Sequence, residues 1–364
     1  MLHALIMAGG SGTRFWPESR AALPKQLLRL ADNRTLIRST FDRLADVVKP
    51  AQTLILTNQR LVERIASELP ELPADRILGE PCKRDTAPCI GLAALLVMSD
   101  DPEATMVVLP ADHVITPSDA FAGAIQYATR LVEELPARLV TFGIAPTYPA
   151  EVFGYIERGA KLDTAVAREA IAPPTYHVAR FREKPQADVA REYLATGRFY
   201  WNAGIFVWKA KTIVAALDQH QPAMMGPLRT IAAAYGQPNF GDVFAAEFAK
   251  IRGISIDFAV MEQAQEVAVV QAPFAWDDVG SWRALARVHG QDADGNTIRG
   301  KHLGWNTRGA IIRSSDDHLV VTMGVEDLII VHTPDVTLVA DKRDEESIRR
   351  MVEELSARGW SEFL

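Results

Sequence analysis

Cysteine is nearly absent: Cys82 and Cys89 are the two in 364 residues. Such usage argues against a disulfide framework and makes the cytoplasm the expected compartment. No histidine lies near them in sequence, so they read as small packing residues rather than metal ligands. Long apolar runs are missing too. The longest, residues 89–98, falls far short of a membrane span, so no membrane partner is expected. The opening MLHALIMAGG has no basic flank, so no secretory signal is expected, and Asn33-Arg34-Thr35 then carries no meaning as a glycosylation sequon. Basic residues are outnumbered, 39 Lys and Arg against 46 Asp and Glu, for a net charge of −7. That argues against nucleic acid, which needs a basic face. It leaves a nucleotide open, because a few local cations suffice. The rest is ordinary globular composition, 48% hydrophobic and 23% charged, in a length that allows one large α/β domain and a smaller one.

Against this background residues 5–25, LIMAGGSGTRFWPESRAALPK, stand out. A short apolar run reads as a buried first strand. It breaks into Gly9-Gly10-Ser11-Gly12, a loop whose backbone can approach a ligand closely. Thr13 and Arg14 follow at once, and Lys25 stands between Pro24 and Gln26. Together these make a device for polyphosphate. Backbone N–H groups from Gly9, Gly10, Gly12 and Thr13 cradle the oxygens, while Arg14 and Lys25 neutralise charge as it shifts.

Two general phosphate motifs do not fit. A dinucleotide fold needs G-x-G-x-x-G and an acid closing the second strand. Here Phe15 occupies the third glycine position, and the strand candidate 54–56 runs into Thr57-Asn58. A P-loop needs G-x-x-x-x-G-K-[ST]. The near match GNTIRGKH at 295–302 has His302 in place of the hydroxyl and reads as a turn among short strands. The whole string GGSGTRFWPESRAALPKQ instead resembles the activation motif of the sugar-nucleotide pyrophosphorylases, in the form carried by mannose-1-phosphate guanylyltransferases.

The chain alternates strand patterns at 2–7, 53–56, 106–109 and 139–142 with helix patterns at 35–47, 60–69, 87–98 and 120–135. This implies a largely parallel sheet with helices on both faces and ligands at the strands' carboxyl ends. Strands at 153–157, 176–181 and 203–208 and a helix at 188–194 follow, then helices expected at 245–265 and 280–288. Beyond residue 291 turns such as Asp316-Asp317 separate short β-branched runs at 310–313, 319–322, 327–331 and 336–339, closed by a helix at 344–358.

Asp112, in Pro110-Ala111-Asp112-His113, falls at a strand's carboxyl end. Mg²⁺ with nucleotide phosphates is usually held by one or two carboxylates, so Asp112 is a metal-ligand candidate, with an Asx-turn as the alternative. The resemblance implies further roles. Asp278, in Trp276-Asp277-Asp278-Val279-Gly280, matches the family's second Mg²⁺ ligand, with Asp277 solvated and Ser281 free to cap the next helix. Lys184, in Phe181-Arg182-Glu183-Lys184-Pro185, would hold the sugar's phosphate and Glu183 a sugar hydroxyl. Asn202, within FYWNAG, would meet hydroxyls, and Gly154 would offer a backbone amide. The segment GEPCKRDTAP, residues 79–88, resembles a base-recognition loop in which Glu80 reads the base and Arg84 and Thr86 serve the nucleotide, with Asp85 or Thr86 as the helix N-cap. Asp257, in SIDFAVMEQ, is divided between hydroxyl binding and capping.

The resemblance implies an α/β protein. A Rossmann-like nucleotidyltransferase domain with a mostly parallel central sheet would span 1–290, its nucleotide half 1–150 and its sugar-phosphate half 151–290. A small β-rich domain with a closing helix would span 291–364, with no appended isomerase domain expected. The activity implied is Mg²⁺-dependent transfer of GMP from GTP to mannose 1-phosphate. Two alternatives stay open: a guanylyltransferase for another sugar 1-phosphate, and a non-catalytic subunit that binds sugar nucleotide. The presence of Lys25, Asp112 and Asp278 disfavours the second. A homodimer is neither required nor excluded.

Overall fold

The computed structural model describes every residue of the chain except Ser11 and Asp316. Ser11 of the glycine loop and Asp316 of the Asp316-Asp317 turn therefore lie outside the described residues. By packing, the chain forms two compact units. The first comprises Met1–Gly9, Phe41–Pro110 and Ile115–Trp276; the second comprises Gly10–Thr40, Ala111–Val114 and Asp277–Leu364.

The first unit is built on a nine-stranded sheet. Strands β1 (Leu2–Ala8), β2 (Thr53–Asn58), β3 (Ile77–Glu80) and β4 (Thr105–Pro110) pair in parallel in the order β3-β2-β1-β4. Their near-continuous apolar runs are what a strand covered on both faces requires. β5 (Val114–Thr116) is a short strand outside this sheet. Along the chain come α1 (Leu36–Asp42), most of which belongs to the second unit, and then α2 (Val62–Glu68), α3 (Thr86–Asp100) and α4 (Ser118–Glu134) of the first. α3 is apolar nearly all round because it is buried nearly all round.

The remaining strands of the sheet are β6 (Leu139–Ile144), β7 (Tyr155–Lys161), β8 (Thr175–Arg182), β9 (Phe199–Lys209) and β10 (Val267–Gln271), with α5 (Ala187–Thr196), α6 (Ala210–His220), α7 (Pro222–Ala234) and α8 (Phe240–Phe248) between them. Here the expectation of a mostly parallel sheet is corrected: the sheet is mixed. β10 pairs with β6 in parallel, but β9 runs antiparallel to both β4 and β6, and β7 is antiparallel to β8 and to β9. A parallel neighbour needs a crossover connection, usually a helix. Between β7 and β8 there is only the short turn Val166–Arg168.

The single helix expected over 245–265 is also corrected. After α8 the chain leaves helical geometry and resumes as a π-helical turn, Asp257–Met261. The break is made by backbone pairing with the loop before α3: Ile254 N donates to Arg84 O (3.3 Å) and Ala87 N to Ile254 O (3.0 Å). Likewise the helix expected from residue 280 starts later, after β11 (Ala275–Asp277), as α9 (Ala284–His289).

In the second unit β12 (Thr297–Arg299), β13 (Lys301–Trp305), β14 (Ile311–Arg313), β15 (Leu319–Met323), β16 (Leu328–His332) and β17 (Thr337–Asp341) precede α10 (Ile348–Ala357). β12, β14 and β16 stack in parallel, with β17 antiparallel on β16; β13 and β15 form a second parallel pair. Phe15, Trp16, Leu28 and Leu30 from the N-terminal segment share one core with Trp282, Ile311, Ile329, Val331 and Ile348. The glycine loop and the C-terminal strands are thus parts of one folded body. Among the described residues no helix is long and apolar enough to cross a membrane.

Candidate active site

In the second unit the loop is shaped around a lysine. Gly12 has φ +62°, and a Cβ there would lie 2.5 Å from Lys25 Cβ, so only glycine fits. Thr13–Phe15 form a 3-10 turn that leaves Arg14 between two anchors. Phe15 packs edge-on against Trp282 with ring centroids 5.1 Å apart. Trp16 donates from Nε1 to Phe363 O (2.8 Å) and accepts at its carbonyl from Trp282 Nε1 (3.3 Å). Arg14 Nη1 lies 3.8 Å from Glu346.

Lys25 is 8% exposed, and its Nζ donates to Asp112 Oδ2 (2.7 Å) and to the backbone carbonyl of Asp278 (2.5 Å). Burial works to raise the Asp112 pKa, but the Lys25 ammonium, helped by His113, outweighs it and holds the carboxyl below its usual range. Asp278 goes the other way. Burial pushes it up, the Asp277 and Asp112 carboxylates add to the rise, and Lys25 and Arg14 only partly oppose them.

Asp277 is not solvated as expected. It accepts from Val279 N (2.7 Å) and takes a two-pronged pair from Arg287 (2.6 and 3.1 Å). Val279 sits at φ +46°, an outlying conformation for a β-branched residue. Ser281 does not cap α9 through its side chain. A carboxylate the sequence did not flag stands there instead: Glu345 Oε1, in a residue 5% exposed, accepts from Arg283 N (2.8 Å). Nothing local in the sequence announces that contact, because the partners are 62 positions apart.

In the first unit, Glu80 closes β3. Its Oε1 is buried and, among the described residues, has no hydrogen-bond partner. Burial pushes its pKa up to about 7. Burial and Glu80 together push the Cys89 thiol up. Arg84 donates to Ala249 O (2.8 Å) and Lys83 O (3.1 Å) and keeps a buried, unpartnered Nε. Asp85 holds the N-cap position of α3 at φ 58° without a capping side-chain bond. Thr86 opens that helix, and its Oγ1 accepts from Ile256 N (2.8 Å).

The residues expected on the sugar side are also brought together in the first unit. A Cβ on Gly154 would lie 2.8 Å from Glu183 Oε2. Gly154 O accepts from Asn202 N (2.8 Å). Asn202 Nδ2 donates to Asp257 Oδ1 (2.8 Å), which joins Asp257 to the group. Burial, then repulsion from Glu183, pushes the Asp257 pKa up to about 6. Lys184, at φ 41°, is exposed and pairs with Glu183 (3.0 Å). Of the loop glycines, Gly9 follows β1 in the first unit, and Gly10 and Gly12 belong to the second.

Comparison with known proteins divides the chain once, between residues 295 and 300, and not along the two packed units. Residues 3–295 match the nucleotidyl transferase family, and residues 300–355 match the mannoseP isomerase/GMP-like beta-helix domain. A putative mannose-1-phosphate guanylyltransferase of Vibrio cholerae is 36% identical over 367 aligned positions, covering 100% of this chain and 76% of that protein. The mannose-1-phosphate guanylyltransferase of Escherichia coli K12 is 36% identical, covering 98% of this chain and 74% of that one. The solved structure described as mannose-1-phosphate geranyltransferase from Thermus thermophilus superposes with TM-score 0.84 at 34% identity, covering 98% of this chain and 99% of that chain.

Proposed function

The chain belongs to the nucleotidyl transferase family, among its mannose-1-phosphate guanylyltransferases, and from that membership we propose that it transfers GMP from GTP to mannose 1-phosphate, giving GDP-mannose and pyrophosphate. The observation that carries this reading is Lys25, a buried ammonium bonded at once to Asp112 and to the carbonyl of Asp278.

Backbone amides of Gly9, Gly10, Gly12 and Thr13 take the GTP phosphates. Arg14 holds the leaving pyrophosphate and Lys25 the reacting phosphates. Glu80 accepts from the guanine N1–H and N2 amino group, while Arg84 and Thr86 hold its loop against the nucleotide. Lys184 binds the phosphate of mannose 1-phosphate, and Glu183, Asn202 and the Gly154 amide bind its hydroxyls. A phosphate oxygen of the sugar attacks the α-phosphorus in line, and the bond to the β-phosphate breaks. The attacking monoester has a second pKa of about 6, so it is already an anion and needs no general base. Catalysis is then positioning and charge stabilisation.

Asp112 and Asp278 are the residues that would hold Mg²⁺. Their fit rests on geometry and donor chemistry: both are oxygen donors, and one buried ammonium, Lys25 Nζ, touches the Asp112 carboxylate and the Asp278 carbonyl. When bound, the ion neutralises charge on the phosphates. The domain boundary near residue 290 is supported by the family matches at 3–295 and 300–355. A cytoplasmic setting is supported by the free thiols of Cys82 and Cys89.

Pyrophosphate release with GTP, Mg²⁺ and a panel of sugar 1-phosphates tests the activity. Mannose 1-phosphate should give the highest kcat/KM. Preference for another sugar would move the substrate, and no release with any would overturn the reading.

A further inference from the structure

Two arginines face each other across the C-terminal strands. β12 and β14 pair in parallel with Arg299 opposite Arg313. Such partners lie about 4.8 Å apart with their side chains on one face, so like charges stand directly opposed, an arrangement that costs stability. Two residues earlier on β14 the same face is apolar: Ile311 is in the core with Phe15 and Leu28. Where the arginines stand a cleft of about 640 Å³ opens, wholly within the second unit. Arg29, Asp32, Ser314 and Thr333 line it with them.

The charge in this cleft is only partly neutralised. Arg313 is engaged: its Nε donates to Glu18 (2.6 Å) and its Nη2 to Arg29 O (3.0 Å). Asp32, the other acid of the cleft, accepts from the backbone N–H of Arg34 (2.7 Å) and from its guanidinium (2.8 Å). Arg29 and Arg299 have no carboxylate partner among the described residues. The surplus reaches beyond the cleft. His289 is held below its usual pKa by burial first, and Arg299 and Arg313 add to the fall against a bond to Leu30 O. In a chain of net charge −7 this is a local reversal of sign.

We propose that this cleft binds the phosphate groups of a small molecule, with Arg299 and Arg29 as the arginines that take them and Arg313 fixing the Arg29 backbone. A phosphate carries nearly two negative charges and accepts the two-pronged hydrogen bonds a guanidinium offers. One such group can answer both facing arginines, whereas a single carboxylate leaves one of them opposed. The volume lies within the range of small-molecule sites and exceeds what a phosphate alone would fill, so there is room for the body of an ester. None of the residues assigned above to the reaction lines the cleft, so this is a second site.

Arginine labelling of the full chain with phenylglyoxal, read peptide by peptide, tests it without interference from the active site. Pyrophosphate is the first probe. Inorganic phosphate, mannose 1-phosphate and GDP-mannose are the other arms, and chloride at equal ionic strength is the control. Pyrophosphate should protect Arg29 and Arg299 while Arg64, exposed on α2, continues to react. In Arg299→Ala, protection of Arg29 should need roughly ten- to a hundredfold more pyrophosphate, the loss of one charged contact. That variant should also melt no lower than the wild type without ligand, because it removes one of two opposed charges. A purely structural arginine would do the reverse. Tighter protection by GDP-mannose than by pyrophosphate would assign the cleft to a sugar nucleotide, and the opposite order to free diphosphate; both support the site. No protection by any arm, equal protection by chloride, or an Arg299→Ala variant that melts lower and leaves Arg29 protection unchanged would each overturn it.

Discussion

The Lys25 ammonium lies 2.7 Å from the Asp112 carboxylate. The same nitrogen reaches the backbone carbonyl of Asp278, so one buried lysine spans both residues proposed to hold the metal. Removing it would leave Asp112 without its cation and would also release the turn that carries Asp278.

Lys25→Ala should lower kcat by about 10²–10³, with a smaller effect on the KM for GTP, because its charge matters most as the α-phosphorus gains its fifth oxygen. Steady-state kinetics on the purified, folded variant decide this. Unchanged turnover would remove Lys25 from the chemistry.

Asp278→Asn should nearly abolish activity and shift the Mg²⁺ dependence to higher concentration. The contact from Lys25 is to the Asp278 backbone carbonyl, so the substitution keeps it and isolates the carboxylate. Wild-type rates at low Mg²⁺ would move the ligand elsewhere.

Glu345→Ala should leave Arg283 N without its acceptor in a part-buried turn, at a cost of about 1 kcal/mol in stability. Because that turn follows Asp278 directly, the Mg²⁺ requirement should rise as well, and Glu345→Gln should restore part of both. A lowered melting temperature with an unaltered Mg²⁺ titration would make the residue purely structural.

Glu80 should give both base choice and a pH signature. Guanine offers two donors to its carboxylate, whereas adenine turns an acceptor toward it; a good bidentate pair discriminates by roughly 1–3 kcal/mol. GTP should therefore beat ATP by well over tenfold, and Glu80→Gln should compress the ratio. Burial holds the free side chain protonated up to about pH 7, so kcat/KM for GTP should rise as pH passes 7. The variant should lose that rise. Stability runs the opposite way. A folded pKa above the ordinary 4.5 favours the fold at low pH, and that contribution is lost as pH climbs from about 4.5 through 7. The gain in melting temperature from Glu80→Gln should accordingly grow over that window. A pH-independent difference would reject the buried, titrating carboxylate.

Lys184→Ala should raise the KM for mannose 1-phosphate and barely change that for GTP. A phosphate contact made equally in ground and transition states appears mainly in KM. An effect confined to GTP would reassign Lys184 to the nucleotide.

Much of the candidate site was legible because its signals are local. A glycine is required at 12 whatever the distant partner, and a carboxylate just past β4 falls at the sheet's ligand-binding end by construction. The strands and helices of the first half follow from apolar periodicity within short windows. Strand order did not follow, because periodicity reports which faces are buried and says nothing of the neighbour. The antiparallel placement of β9 between β4 and β6 is a choice among distant partners. The apolar run around Ile254 reads as helix until the backbone beside Arg84 claims its hydrogen bonds.

By itself, then, the sequence determined the chemistry-bearing residue types, their order and the family they resemble, since these depend on short strings of fixed spacing. Only the tertiary structure decided which of them touch. It joined Asp257 to Asn202, put Glu345 against the turn after Asp278, and drew Phe15 and Trp16 into a core with the C-terminal strands. Those contacts are long-range packing and capping solutions. Each depends on burial that exists only once the whole chain has closed around it.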